Sequence, residues 1–443
     1  MEDVSRWFYK VTVQEGLTMK KMLARHPLGN PRRKWRQEQF IHTLVNPGPM
    51  GLEKVGPLQC AKARRAVKVA VDAGFDVMEY CWTSYDVGME ILRTAEELGT
   101  KVLYQDLKRF GGMGFSKTPL NEHNDLIGAM RDTAKYKCIM GYYMYDEPIT
   151  PEQRAVVRKM IDDAERERPD LLAYTVTTAS QSHELADDVD PVQLSFDQYP
   201  FGGWVGDGMS PEGQMDGCSK YWTNMEVARQ AAQKIDAPYW FAYQGHMLPY
   251  NPCLDQYTFA ATRMMVNTAL LYGVKELSCY IECNGVLDPE TGGEGIYFEE
   301  HKDLNRRLHA LGNTLMALKC DRVIHGGSLT PYKDKVTFAT MEDSELLEGE
   351  LPRRISVSEM SDEYGNRYLM VANRDYRNVS SYFLKMKGEY RVYRVSDEDG
   401  VQRLVYDDPN NKIIGNLLPG HMALYRLQPK SEESCEIEYY LEK

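Results

Sequence analysis

The sequence of 443 residues has no run of about 18 or more apolar residues, so no segment is long enough to cross a bilayer as a helix. Its first residues, Met-Glu-Asp-Val-Ser-Arg-Trp, lack the basic start and the apolar stretch of a signal peptide. We therefore expect no membrane partner. The protein is predicted to be cytoplasmic, or exported with its signal peptide already removed.

Basic residues are also fewer than acidic ones. The chain carries 53 Lys and Arg against 65 Asp and Glu, which gives a net charge of −12. Nucleic acids and anionic membrane surfaces repel a protein with this charge, so neither is an expected partner. A neutral substrate such as a sugar is compatible with it, and so is a homo-oligomer.

The signatures of metal and cofactor sites are missing. The nine cysteines are scattered, and Cys279 and Cys283 are not followed by a second pair at a zinc-type spacing. There is no His-x-His and no Gly-x-x-x-x-Gly-Lys-Ser/Thr sequence. We expect free thiols, no metal and no cofactor.

The first three quarters of the chain alternate between short apolar segments and amphipathic helical patterns, as in successive βαβ units. The predicted strands are Phe40–Val45, Asp76–Trp82, Lys101–Asp106, Cys138–Tyr145, Leu171–Val176, Val192–Asp197, Ala237–Gln244 and Glu276–Ile281. Eight such units over roughly 280 residues predict an α/β fold, the (β/α)₈ TIM barrel. A doubly wound open sheet is the rival, but the turn Asn46-Pro-Gly-Pro-Met-Gly51 lacks its usual Gly-x-Gly-x-x-Gly form.

From about Val323 the pattern changes to short alternating strands with polar turns, which predicts an antiparallel β-sandwich. The strands are expected at residues 336–339, 354–357, 367–372, 381–386, 390–395, 402–406 and 422–427. The predicted organisation is an N-terminal arm or cap over residues 1–36 and a barrel over 37–322. A C-terminal β-sandwich over 323–430 and a charged, peripheral tail over 431–443 follow.

The active site of a (β/α)₈ barrel lies at the carboxyl ends of its strands. The polar residues at these ends are Asn46, Glu79, Asp106, Asp146, Glu147, Thr177, Asp197, Gln198, Gln244, His246 and Glu282. A carboxylate in such a place is costly unless it has a partner or a function. For Glu147, which follows a continuous apolar and aromatic strand, a function is favoured. For Asp146, a cap of the turn at Pro148 is the simpler interpretation and catalysis is the alternative.

Cleavage of a glycosidic bond requires a protonated carboxyl group that donates to the leaving oxygen. It also requires a second group that supports the positive charge at the anomeric carbon. The segment Tyr143-Met-Tyr-Asp-Glu-Pro148 resembles the fourth-strand motif of barrel glycoside hydrolases. The clan that includes β-galactosidases and cellulases carries Asn-Glu-Pro there, with the glutamate as acid/base, and the appended sandwich fits the same enzymes. The resemblance implies a glycoside hydrolase with Glu147 as the general acid.

Two positions depart from that clan. Asp146 replaces the asparagine, and Gln244 ends the seventh strand, where the clan keeps its nucleophilic glutamate. The adjacent Asp-Glu pair is similar instead to substrate-assisted hexosaminidases such as glycoside hydrolase family 123, in which the aspartate orients a substrate acetamido group. Chemistry with two carboxylates also remains open, with Asp197 or Glu282 facing Glu147. The predicted catalytic residues are therefore Glu147, Asp146, Glu282 and Asp197.

Aromatic and polar residues near the same strand ends suit a sugar, whose ring stacks on aromatic faces and whose hydroxyls need hydrogen-bond partners. The predicted substrate-binding residues are Glu79, Asp106, Tyr145, Tyr199, Trp240, Tyr243, Gln244 and His246. Trp82, Trp204 and Trp222 are further stacking candidates, whereas Trp240 lies in mid-strand and also fits a core position. The competing hypothesis is a catalytically inactive barrel that binds glycans. Gln244 favours that hypothesis and Glu147 opposes it.

Overall fold

The computed structural model describes residues 18–24, 28–46, 56–80, 84–106, 109–110, 125–201, 219–245, 258–280, 285–327, 329–407 and 411–441. After a first strand, β1 (Thr18–Leu23), eight parallel strands close into a barrel in chain order. They are β2 (Ile41–Val45), β3 (Val77–Tyr80), β4 (Lys101–Tyr104), β5 (Ile139–Asp146), β6 (Leu172–Thr178), β7 (Leu194–Gln198), β8 (Tyr239–Gln244) and β9 (Glu276–Tyr280). The predicted barrel is confirmed, and each predicted strand overlaps an observed one.

Helices surround the barrel. They are α1 (Pro57–Asp72), α2 (Tyr85–Leu98), α3 (Leu126–Thr133), α4 (Pro151–Glu167), α5 (Ser182–Asp188), α6 (Ser219–Lys234), α7 (Phe259–Leu271) and α8 (Phe298–Ala317). The start of α4 is fixed by a capping box, in which the Thr150 hydroxyl accepts from the Gln153 amide and Gln153 accepts from the Thr150 amide. Within the described ranges, no helix combines the length and hydrophobicity that a bilayer crossing requires.

Successive side chains along each strand point alternately into the barrel lumen and outward to the helices. Val77, Leu103 and Tyr174 belong to the cluster inside the barrel. Their sequence neighbours, such as Met78 and Tyr104, belong to the larger core between the strands and the helices. The direction of a polar side chain on these strands can therefore be read from its position relative to these residues.

The segment before β2 lies against the N-terminal end of the barrel. Gln37 accepts a hydrogen bond from the Trp240 indole at 2.9 Å and donates one to the Lys275 carbonyl at 2.7 Å. Arg33 is buried and donates to the Val189 carbonyl at 2.9 Å. This part of the predicted arm or cap thus covers the end of the barrel that is opposite the expected active site.

The C-terminal part forms two further sheets, as expected for the β-sandwich. One consists of β10 (Lys319–His325), β12 (Ile355–Ser361), β13 (Arg367–Asn373), β15 (Tyr390–Val395), β16 (Gln402–Tyr406) and β18 (Met422–Pro429). The other consists of β11 (Leu347–Glu348), β14 (Ser380–Met386) and β17 (Lys412–Leu417). Buried residues of both sheets form one cluster. The strand expected at residues 336–339 is absent from the described chain, where Ala339 makes only an isolated bridge with Ile324.

The tail is not peripheral, which corrects the expectation for residues 431–443. Its strand β19 (Cys435–Tyr440) pairs in parallel with β1. Cys435, Ile437 and Tyr439 are buried, and the side chains between them are more exposed. The glutamates at alternate positions made this half-buried strand look like a charged tail.

Candidate active site

The end of β5 determines where Glu147 lies. Asp146 is the last residue of the strand, and Glu147 adopts a left-handed backbone with φ of 48°. Its amide donates to the Val176 carbonyl at 3.0 Å, which fixes this turn to β6. Non-glycine residues rarely adopt positive φ, and such strain persists where the surrounding structure imposes it. The short connection to α4 therefore holds Glu147 at the mouth of the barrel.

Asp146 points into the lumen rather than capping the turn at Pro148. Its carboxylate accepts a hydrogen bond of 2.6 Å from the hydroxyl of Tyr143, which belongs to the lumen cluster. Desolvation raises the pKa of Asp146 to about 7, with the Tyr143 hydrogen bond opposing the shift and the Glu147 charge adding to it. Among the described contacts, none is a capping bond from Asp146 to the turn, so the simpler interpretation of this residue is wrong.

Asp197 at the end of β7 is the direct partner of Glu147. The two carboxyl groups share a hydrogen bond, and the Tyr199 hydroxyl also bonds to Asp197. Desolvation raises the pKa of Asp197 well above its ordinary value, and the charges of Glu147 and Asp146 raise it further. Desolvation also raises the pKa of Glu147. A hydrogen bond between two carboxyl groups needs a proton, so the two groups titrate as a coupled pair that shares it.

Two more carboxyl groups, Glu79 and Glu276, lie deeper in the lumen. They are 3% and 0% exposed, respectively. Glu276 accepts a hydrogen bond of 2.6 Å from the Ser278 hydroxyl, and desolvation raises its pKa to about 8. Desolvation, followed by the charge of Glu276, raises the pKa of Glu79 well above its ordinary value. The charge of Asp146 adds to that shift, so Glu79 lies near the carboxyl groups at the mouth.

The lumen is acidic and lacks compensating cations in the described part of the chain. No described lysine or arginine forms an ion pair with, or shifts the pKa of, the five carboxyl groups of Glu79, Asp146, Glu147, Asp197 and Glu276. Within the same ranges no group of three or more His, Cys, Asp or Glu is arranged to hold a metal ion. These carboxyl groups are therefore expected to carry protons at neutral pH more often than exposed ones do.

We expect Glu276→Gln to reduce the pH dependence of stability. Because the folded protein holds the Glu276 proton up to a pH of about 8, folding binds a proton that the unfolded chain releases near its ordinary pKa of 4.5. The free energy of unfolding should then fall as the pH rises from 5 to 8.5, by about 1.4 kcal/mol per unit of pKa shift. The glutamine variant should lose a few kcal/mol less than the wild type over this range, as measured by urea denaturation at both pH values.

Glu359 in β12 provides a matched comparison for this prediction. It is equally buried, but its carboxylate accepts hydrogen bonds from Ser344 and from the Leu346 amide. Glu359→Gln should therefore lower the free energy of unfolding at both pH values. Equal pH dependence in Glu276→Gln and the wild type would show that Glu276 is ionised in the folded protein.

Three of the predicted aromatic residues point away from the mouth. Tyr145 faces α4, where its hydroxyl bonds to Gln153. The Tyr243 hydroxyl meets the ring of His42 at 2.9 Å in the core behind the strands. Trp240 is fully buried at the closed end, bonded to Gln37. These placements contradict the predicted substrate contacts of Tyr145, Trp240 and Tyr243. Tyr243 lies on the outer face of its strand, and a register shift between Tyr143 and Tyr145 turns Tyr145 to the outer face as well.

The remaining candidates differ in position. Tyr199 lies beside Asp197 and stacks on Tyr280, with 4.9 Å between ring centroids. Gln244 accepts a hydrogen bond of 2.8 Å from the Phe201 amide, so it supports the segment that follows β7. Asp106 follows β4 and is buried, and its backbone carbonyl accepts a hydrogen bond from the backbone amide of Arg109. Trp222 belongs to the core beside His325. His246, Glu282, Trp82 and Trp204 lie outside the described residues.

Four residues of the lumen were absent from the sequence prediction: Gln105, Tyr143, Tyr174 and Glu276. The prediction took its catalytic candidates from the polar residues near the carboxyl ends of the strands, whereas Glu276 opens its strand and Tyr143 and Tyr174 lie within theirs. The usable signal was the two-residue alternation, which places Glu276 and Ser278 on one face and Leu277 on the other.

The loops at the mouth of the barrel are described only in part. The connections after β5 and β6 are described in full, whereas those after β2, β3, β4, β7, β8 and β9 include residues outside the described ranges. A cavity of about 330 Å³ lies elsewhere, beside the starts of β8, β9 and β10, and includes Arg229, Tyr239 and Lys275 in its lining. The carboxyl cluster is therefore identified by its own geometry and not by a cavity.

No protein-family model matches the sequence, and no curated protein sequence is significantly similar to it. Solved structures are similar over most of the chain. A Bacteroides fragilis NCTC 9343 protein provisionally named an alpha-galactosidase aligns with a TM-score of 0.50 and 10% identity, over 86% of this chain and 79% of that one. A noncanonic maltogenic alpha-amylase from Thermotoga neapolitana gives 0.50 and 10%, over 87% and 98% of the two chains. Both likenesses support the TIM barrel with its C-terminal β-sheets.

Proposed function

We propose that the chain is a glycoside hydrolase that cleaves a glycosidic bond in an oligosaccharide or glycoconjugate. The observation that carries this proposal is the hydrogen-bonded pair of Glu147 and Asp197 at the carboxyl end of the barrel. Two carboxyl groups that share a proton supply both requirements of glycosidic cleavage, an acid and an anion.

In this proposal Glu147 is the general acid and Asp197 is the second carboxylate. Glu147 donates its proton to the leaving oxygen, and Asp197 stabilises the positive charge at the anomeric carbon or attacks it. The hydrogen bond holds the two carboxyl groups in direct contact, so a bound sugar must separate them. Retaining enzymes need about 5–5.5 Å and inverting enzymes about 6.5–9.5 Å, so retention requires the smaller movement.

Asp197 is favoured over the other candidates for the second carboxylate. Asp146 bonds to Tyr143, and its effect on Glu147 is not a direct hydrogen bond. Gln244 bonds to the Phe201 amide, and glutamine is not among the side chains that serve enzymes as nucleophiles. Glu282 lies outside the described residues.

A substrate-assisted mechanism is the second arrangement that the site supports. Asp146 faces the lumen next to Glu147, where it could orient an acetamido group that attacks the anomeric carbon. This mechanism restricts hydrolysis to 2-acetamido sugars and predicts inhibition by a thiazoline analogue. Hydrolysis of a substrate with a plain 2-hydroxyl assigns the role to Asp197 instead.

The solved structures support the proposal through the combination of domains. The two proteins described above align with 86% and 87% of this chain, and the names of both refer to carbohydrate substrates. Because the identity is only 10% with each, they suggest the substrate class and not the sugar.

The test is a screen of 4-nitrophenyl glycosides that includes α- and β-galactosides, glucosides and N-acetyl-β-glucosaminide. We expect the wild type to release nitrophenol from at least one of them. Glu147→Gln should still bind that glycoside but hydrolyse it more slowly. Sugar binding without hydrolysis would favour the alternative, a catalytically inactive glycan-binding barrel. Hydrolysis that Glu147→Gln leaves unchanged would contradict the proposed site.

A further inference from the structure

The side chain of Gln105 is buried without a hydrogen-bond partner in the described part of the chain. It is 3% exposed, and both its amide nitrogen and its amide oxygen lack a partner. A buried amide without partners is costly, so natural proteins rarely leave one unless a ligand or a water satisfies it. The position of Gln105 therefore decides what could bind to it.

Gln105 follows β4 on the face that lines the barrel. Leu103 belongs to the lumen cluster and Tyr104 to the core behind the strands, so the next residue in an extended chain returns to the lumen. Leu103 pairs with Glu79 of β3, which makes Gln105 and Glu79 diagonal neighbours, with Gln105 closer to the mouth. On its other side β4 pairs with β5, the strand that ends at Asp146.

Glu79 has a free oxygen as well. Its Oε2 has no hydrogen-bond partner in the described ranges, and Glu79 is only 3% exposed, so bulk water does not supply one. The charge of Asp146 acts on Glu79, so the two are near each other in the lumen. An amide and a carboxyl group with unused hydrogen-bonding atoms thus lie next to each other in the lumen, on one side of the strand that ends at Asp146.

We propose that Gln105 is a sugar-binding residue that, together with Glu79, recognises neighbouring hydroxyls of a neutral pyranoside at the site of bond cleavage. This inference rests on the proposed function. An amide donates and accepts at once, and a vicinal pair of hydroxyls offers the matching acceptor and donor. The carboxyl group of Glu79 can bond to the next hydroxyl.

The charge of the site selects a neutral sugar. Five carboxyl groups line the lumen, and no basic residue of the described chain pairs with any of them. A uronic acid, sulfated sugar or phosphorylated sugar would bring a negative charge into this desolvated site, next to Asp146 and Glu79, without a cation to balance it. Galactosides, glucosides and their N-acetylated forms carry no such charge.

Gln105→Met tests the inference, because methionine keeps the length and shape of the side chain but cannot make these hydrogen bonds. Binding is measured by calorimetry with the 4-nitrophenyl glycoside that the wild type hydrolyses, in a Glu147→Gln background that slows turnover. We expect the Kd to rise about 10-fold or more, the size of one or two lost hydrogen bonds. Thermal stability should stay the same or rise, because an unpartnered buried amide has been removed.

Gln193 provides the matched control. It is 1% exposed and its amide atoms also lack partners in the described chain, but it immediately precedes β7 at the closed end of the barrel. Gln193→Met should leave the Kd unchanged. Should Gln105→Met fail to fold, Gln105→Glu keeps one acceptor and the size of the side chain, and it should weaken binding in the same way.

The outcomes separate this inference from the proposed function. An unchanged Kd in Gln105→Met, with a wild type that hydrolyses the glycoside, would refute the role of Gln105 and leave the enzyme assignment intact. Equal hydrolysis of 4-nitrophenyl β-glucuronide and β-glucoside would refute the neutral substrate class. A loss of thermal stability in Gln105→Met would show that the amide is structural. A wild type that neither binds nor hydrolyses any glycoside would refute the proposed function and this inference with it.

Discussion

Glu147→Gln is expected to lower kcat/KM by about 10²- to 10⁴-fold on a glycoside with a poor leaving group, such as an unactivated disaccharide. The glutamine has the shape of the acid but no proton that it can transfer. On a 2,4-dinitrophenyl glycoside the loss should be far smaller, because this leaving group departs without protonation. The comparison of both substrates in stopped or continuous assays checks the role of Glu147 as the acid.

Glu152→Gln is a suitable control for this prediction. Glu152 lies in the first turn of α4, five positions further along the chain, and is exposed. Its substitution should leave both rates within about twofold, as expected of a surface position. If Glu147→Gln lost the same factor on both leaving groups, Glu147 would be the nucleophile or charge stabiliser and not the acid.

Asp197→Asn has the second largest expected effect. The variant keeps a hydrogen bond to Glu147 but removes the charge that supports the anomeric carbon, so kcat/KM should fall by about 10³-fold. The loss should be similar for good and poor leaving groups, because Asp197 acts on the sugar and not on the leaving oxygen. Measurement of both substrates in parallel with the Glu147 series checks this.

The pH profile of Asp197→Asn should change as well. In the wild type the proton of the pair is held tightly, because the charge of one carboxylate opposes ionisation of the other. Without the second carboxyl group this opposition disappears, so the alkaline limb of the residual kcat/KM profile should move to lower pH. Asp187→Asn, which removes an exposed ion pair with Lys234, is the control and should leave the profile unchanged. An alkaline limb at the same pH in Asp197→Asn and the wild type would contradict the shared proton.

The barrel could be predicted from the sequence because each of its strands is an apolar segment followed by a helical pattern. The capping box at Thr150 and Gln153 can also be recognised in the sequence, because it depends only on residues that are close together in the chain. The strand β19 could not be predicted, because half of its residues face solvent and its partner β1 lies at the other end of the chain. A parallel pairing between the two ends leaves no local signal.

The site was predictable in part for the same reason. Strand order and strand ends placed Glu147, Asp146 and Asp197 among the candidates at one end of the barrel, with Asp197 or Glu282 as the partner of Glu147. Side-chain direction depends on the register of each strand, which apolar content alone did not determine, so Tyr243 and Trp240 were assigned to the mouth. Contacts between different strands, such as that between Asp197 and Glu147, appear only when the barrel closes.

The central claim is that Glu147 and Asp197 act as one catalytic unit, and a double-mutant cycle measures this most directly. The rates of glycoside hydrolysis by the wild type, Glu147→Gln, Asp197→Asn and the double variant are compared on a single substrate. Residues that act together give losses that do not add, so the double variant should be little slower than the slower single variant. Losses that multiply, or a double variant that hydrolyses the glycoside at the wild-type rate, would contradict the account.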